Sequence, residues 1–137
     1  MTSIEIKLKE AQQLLNSLIS SKIHHFSTLK PSHLKENLTA VYVIFTEQET
    51  LYVGRTKNLR RRLYTNHLQG NLSTARLKKY LIDDDRLPEI NSSELAKEWI
   101  KSNCFFRYIE ITNSKSRGHA EGMIGYLLNS RYIEDEH

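Results

Sequence analysis

Two short apolar runs, Ala40-Val-Tyr-Val-Ile-Phe45 and Leu51-Tyr-Val53, are separated by the polar stretch Thr46 to Thr50. Both runs are rich in β-branched and aromatic side chains, which suit a pleated, half-buried surface. Apolar run, polar turn, apolar run is a hairpin signal. Gly54 closes the second run, and a burst of positive charge follows at Arg55, Lys57, Arg60, Arg61 and Arg62 with no acid between them. One local unit therefore holds two phenols (Tyr42 and Tyr52), a glycine and an arginine cluster. Few chemistries want that set, and cutting a phosphodiester is one of them.

The flanking sequence predicts helices and one more strand. Residues 2–20 read as an amphipathic helix: Thr2 and Glu5 have capping-box spacing, and Leu8, Ala11, Leu14, Leu15, Leu18 and Ile19 follow the helical period. Residues 22–39 are polar and mixed, broken by Pro31, and read as a linker with room for a short helix after Ser32. The basic segment from Asn58 to Leu68 predicts a helix with Leu59 and Leu63 on one face, ended by Gly70-Asn71. Ser73 or Thr74 can cap a second helix running through Leu81. Asn91 and Glu94 can cap a third, with Leu95, Trp99 and Ile100 inward. Cys104 to Ile111 predicts a strand, Asn113 to Gly118 a loop, and Ala120 to Ser130 a final helix. Helices around a small sheet make an α+β or mixed α/β domain.

The chain has 137 residues, the length of one domain with a core of its own. Cys104 is the sole cysteine, so no internal disulfide framework exists, and a lone cysteine in an apolar run reads as a small buried hydrophobe. No window approaches a membrane span and no signal peptide opens the chain, which predicts a soluble, cytoplasmic protein. Net charge is +4, with acids gathered at Asp83-Asp84-Asp85 and Glu134-Asp135-Glu136, away from the basic cluster. Segregation of that kind suits a polyanion partner; a solvated helix face accounts for the charges equally well.

Tyr42 within Ala-Val-Tyr, Tyr52-Val-Gly54, Arg62 ten residues on and Glu121 on a late helix together resemble the GIY-YIG nuclease family. Ala40 stands where the first signature element normally has Gly. The run from Tyr52 to Leu63 is very similar to the family's second element and following helix, and Asn71-Leu-Ser-Thr-Ala-Arg76 is similar to a stretch in small bacterial members. The resemblance spans about residues 38–132. It divides the chain into an N-terminal helical extension, 1–37, and a nuclease domain, 38–137. It implies a three-stranded antiparallel sheet flanked by helices, with strands at 41–45, 51–53 and 104–111.

It also implies cleavage of DNA with one divalent cation, magnesium or manganese, and no small-molecule cofactor, by a monomer or homodimer. Tyr42 would be the general base, or would orient the water. A tyrosine is a poor base at its ordinary pKa, but a neighbouring cation and arginine favour the phenolate. Tyr52 would share its hydrogen-bond network. As plain alternatives, both are half-buried sheet aromatics. Arg62 would clamp the phosphate with its planar fork. Arg55, Lys57, Arg60 and Arg61 would be nucleic-acid backbone contacts or exposed charges, and Arg76 a further nucleic-acid contact.

Many relatives carry a His or Tyr four residues past the Arg; that position is Asn66 here, and His67 follows it. His67 would contact phosphate or water, or it is an unemployed helix-end histidine. Tyr64 ranks behind it. Glu121 would be the metal ligand, since one carboxylate plus waters suits magnesium. Gly122 and Gly125 beside it permit close approach of another backbone. Relatives often end with a Pro nine residues and an Asn twelve residues past the Glu. Ser130 and Ile133 occupy those positions, and Asn129 is the nearest candidate for that phosphate contact.

No zinc-spaced Cys/His cluster, phosphate loop or nucleophile elbow competes, and the His24-His25 pair reads as surface. Three classes of function stay open: a metal-dependent endonuclease, a nucleic-acid-binding module that has lost turnover, and an adaptor that docks partners on its N-terminal helix.

Overall fold

A computed structural model describes residues 1–70 and 76–133, leaving aside the side chain of Asn66. The expected caps Ser73 and Thr74 lie outside the described residues. The hairpin forms as predicted. β2, Ala40–Phe45, pairs antiparallel with β3, Thr50–Thr56, which runs past Gly54. The late strand is β4, Phe105–Glu110, antiparallel on the other side of β2.

Four strands are present instead of the expected three. β1, His24–His25, pairs with Phe106 and Phe105 of β4, and the sheet order is β1-β4-β2-β3. Two residues are too few to show a period, so this strand reads as linker in the sequence. His24 is not free surface either, since its ring stacks on Phe106 at 4.9 Å. Phe26 and Leu34, from the same stretch, sit in the main core. The guanidinium of Arg60 ties that stretch down, donating to the Pro31 carbonyl at 2.7 Å and to Glu36 at 2.8 Å.

Central β2 is covered on both faces. Ala40, Tyr42 and Ile44 face one core, under α2 (Arg76–Asp83) and α3 (Ser93–Asn103). Val41 and Val43 face the other, with Leu18 of α1 (Ser3–Ile19) and Ala120 and Ile124 of α4 (Ser114–Leu127). Each large aliphatic buried this way contributes about 1.5–3 kcal/mol. Thr2 caps α1, accepting from the Glu5 N–H as the capping-box spacing predicts. Leu8 and Ile19 on that helix nevertheless stay exposed, because α1 is covered on a narrower stripe than its apolar residues offer.

Two helix boundaries depart from expectation. Ser92 caps α3, so Leu95 turns outward and Ala96 and Ile100 take the buried face. α4 begins at Ser114, with Asn113 accepting from the Ser116 N–H. The stretch expected to be a loop is helical through Gly118, where a Cβ would overlap the guanidinium of Arg55. No helix among the described residues is long and apolar enough to cross a membrane.

β3 is an edge strand, and edges need cover. The tail after α4 supplies it: the N–H groups of Arg131 and Tyr132 donate to the carbonyls of Thr50 and Leu51 at 3.1 and 2.9 Å. The chain thereby crosses from one face of the sheet to the other beside Tyr52.

Candidate active site

The register of the hairpin sets the site. Tyr42 faces Gly54 across the strands, and Ile44 faces Tyr52, so both phenols lie on the same face two positions apart. A Cβ at residue 54 would overlap the Tyr42 hydroxyl and ring. Glycine is required there because the tyrosine ring occupies its side-chain space.

Next comes the helix carrying the arginines. Asn58 starts it, its Oδ1 accepting from the Arg61 N–H at 3.1 Å. From Arg61 to Leu68 it is a π-helix; the Gln69 N–H bonds back five residues to the Tyr64 carbonyl. In an α-helix, a residue five on from Arg62 would point about 140° away from it. Here Arg62 and His67 reach the same atom. Arg62 Nε donates to the Tyr42 hydroxyl at 3.3 Å, and His67 Nε2 lies 2.8 Å from that oxygen. The wider winding brings His67 to the site although the sequence places it one residue late.

Tyr42, Tyr52 and His67 form a triangle of rings with centroids 5.2–6.1 Å apart. Tyr42 and His67 are both 0% exposed. Burial, the Arg62 charge and the Arg76 charge push the His67 pKa down to about 3, so its imidazole is neutral. Its Nδ1 is buried without a hydrogen-bond partner. His67 Nε2 and the Tyr42 hydroxyl share one hydrogen bond whose direction follows the ring tautomer, and the hydroxyl oxygen also accepts from Arg62.

Among the protein's own groups, burial dominates at Tyr42. Burial first, and then Tyr52, raise its pKa well above the ordinary phenol value. Arg62 opposes that rise with its charge and hydrogen bond, and the Glu121 carboxylate reinforces it. Burial outweighs the arginine, so Tyr42 is held as a neutral phenol. Arg62 itself is raised: burial alone would lower it, but Tyr42 and Tyr52 hydrogen-bond it and outweigh that loss.

Glu121 approaches from the opposite face of the sheet, around the β3 edge. Its cleft holds about 480 Å³ and is lined by Tyr52, Val53, Glu121, Gly122, Tyr126 and Asn129, among others. The cleft wall is thus Tyr52; Tyr42, Arg62 and His67 stand behind it. Glu121 is close enough for its charge to act on Tyr42. Two phenols, the guanidinium and the distant carboxylate therefore meet in one region.

The remaining candidates divide. Arg55, beside Gly118 of α4, is exposed, as are Lys57 and Arg61. Arg76 is exposed at the start of α2, near His67. Arg60 is engaged with Pro31 and Glu36. Asn129 lines the cleft, but its φ of 51° just past α4 is the left-handed conformation that ends helices, a position Asn suits for backbone reasons.

Sequence reasoning missed Tyr126 and Tyr132 of the cleft lining. Tyr126, exposed on α4, stands one helical turn past Gly122, a spacing visible in the sequence; Tyr132, in the aperiodic tail, carried no signal.

Among the described residues, no group of three or more His, Cys, Asp or Glu side chains could hold a metal ion. A chelating cation such as zinc does not fit this donor set. A hard cation that keeps most of its waters asks for fewer protein donors, and Glu121 is a carboxylate lining the cleft.

A family model described as the GIY-YIG catalytic domain matches residues 39–124 of the 137. No curated protein and no solved structure matches the chain.

Proposed function

The chain belongs to the GIY-YIG family, a family of nucleases, and on that premise we propose that it hydrolyses DNA phosphodiester bonds with a divalent cation and a water activated by tyrosine. The observation that carries this reading is that Tyr52 and Glu121 line one cleft while Arg62 stands behind both phenols. Magnesium or manganese held by Glu121 would neutralise phosphate charge and acidify a bound water.

The chain's own groups do the rest. Tyr52, the phenol at the cleft wall, takes the proton of the attacking water as its phenolate. Arg62 meets negative charge developing on either phenol with a fixed positive one. Buried Tyr42 is a positioning residue, holding Arg62 through its hydroxyl and held in turn by neutral His67. The water oxygen bonds to phosphorus, the phosphorus–oxygen bond opposite it breaks, and the leaving oxygen takes a proton from solvent. The cytoplasm is the compartment we assign.

Nicking of supercoiled plasmid, with magnesium and with EDTA, tests the proposal. Glu121→Ala is expected to lose nicking and keep a gel shift. Tyr52→Phe is expected to lose about 10²-fold or more in rate, the usual worth of a positioned base. Tyr42→Phe should lose less. Nicking that survives EDTA and Glu121→Ala removes the metal reading, and the reverse order for the two tyrosines returns the base to Tyr42. The buried, neutral Tyr42 favours one other reading, a binding module without turnover. An inert wild type that still shifts DNA establishes that one.

A further inference from the structure

Gly122 lies inside α4, one residue past Glu121. Glycine there weakens the helix relative to alanine. Its backbone does not require it, since no glycine among the described residues has positive φ. Nor does packing, because a Cβ at 122 would meet no atom of the described residues within 4 Å. Gly54 and Gly118 differ, since Tyr42 and Arg55 occupy their side-chain space. Among the described residues, nothing takes up the space of the missing side chain at 122.

Gly122 opens onto the cleft of Tyr52 and Glu121, and Tyr126 lines the same cleft. Tyr126 is 84% exposed, more than any other large apolar side chain among the described residues. Positions four apart on a helix share a face one turn apart. A bare patch of backbone therefore adjoins an uncovered aromatic ring at the wall of the candidate active site. Bare backbone admits a flat group closely, and an aromatic ring offers it a stacking face. A nucleobase is flat and carries such a face.

On the nuclease reading above, we propose that Gly122 and Tyr126 form a nucleobase subsite. The base next to the scissile phosphate leaves its own stack, lies over Gly122 and stacks on Tyr126. The substrate is accordingly DNA in which that base is unpaired or easily unstacked, as at a mismatch, loop or frayed end, because unstacking costs least there.

An oligonucleotide carrying 2-aminopurine beside a mismatch tests this, with binding followed by fluorescence in the absence of divalent cations. Wild-type protein should change the fluorescence. Tyr126→Ala should abolish the change and Tyr126→Phe keep it. In steady-state cleavage Tyr126→Ala should raise KM by about 5- to 150-fold, the range for losing one base–aromatic stack. Gly122→Ala should raise the thermal midpoint while weakening binding, a combination that loss of fold does not produce. If wild type cleaves but both alanine variants match it in fluorescence and KM, the subsite is wrong and the nuclease reading stands. If wild type neither cleaves nor binds any DNA, both fall.

Discussion

His67 is a residue whose environment writes its own pH signature. Folded, its pKa is about 3; unfolded, it returns to the ordinary value of 6.5. Between those values the unfolded chain binds a proton that the folded chain refuses, so stability falls as pH drops. The slope from this one group approaches about 1.4 kcal/mol per pH unit and vanishes above neutrality. His67→Gln should flatten the decline between about pH 6 and 4, measured by urea unfolding at steps of pH. An unchanged slope would mean that His67 is already protonated in the fold. Tyr42 teaches the converse lesson. Its neighbours are those the sequence suggests, yet burial overrides the arginine, and burial is a property of the packed core.

At the scale of elements, the π-helix from Arg61 to Leu68 absorbs a one-residue offset between Arg62 and His67. Deleting Thr65, an exposed residue of this helix, moves His67 to four residues past Arg62, about 40° around an α-helix. The shortened helix should relax to α-geometry, keep both groups on Tyr42 and retain nicking. Adding His67→Ala in that background should then reduce the rate. Loss of activity on deletion alone would show that the helix does more than aim two side chains. The early start of α4 is another element-scale departure. Asn113 was available as a cap, but Gly118 advertised a loop; the glycine is there to admit Arg55, a contact between residues far apart in sequence.

The molecule as a whole is larger than its matched region. The family match begins at residue 39, yet Phe26, Leu34 and Leu38 belong to the core that holds Tyr42. Each deletion of such a side chain costs about 2–5 kcal/mol, against a total stability of about 5–15 kcal/mol for a typical domain. A chain starting at Thr39 should therefore fail to fold, while one starting at Ile23 keeps β1 and that core and should fold with reduced stability. Circular dichroism and thermal melting distinguish the two. Cooperative unfolding of the shorter chain at the full-length midpoint would make residues 1–38 dispensable.

Periodicity and turn chemistry are local, and so the hairpin, β4, α1 and α3 were legible in the chain to within a few residues. The Tyr42, Tyr52, Arg62 and Glu121 set came from the resemblance to a family's motifs, and the fold brings its members into one region. Long-range packing settled the rest: a two-residue strand borrowed from β4, the tail laid along the β3 edge, and Tyr52 at the cleft wall with Tyr42 sealed behind it. Which phenol meets water depends on what lies over each ring. Those covering groups come from segments distant in sequence, and their arrival leaves no trace in the residues beside the ring.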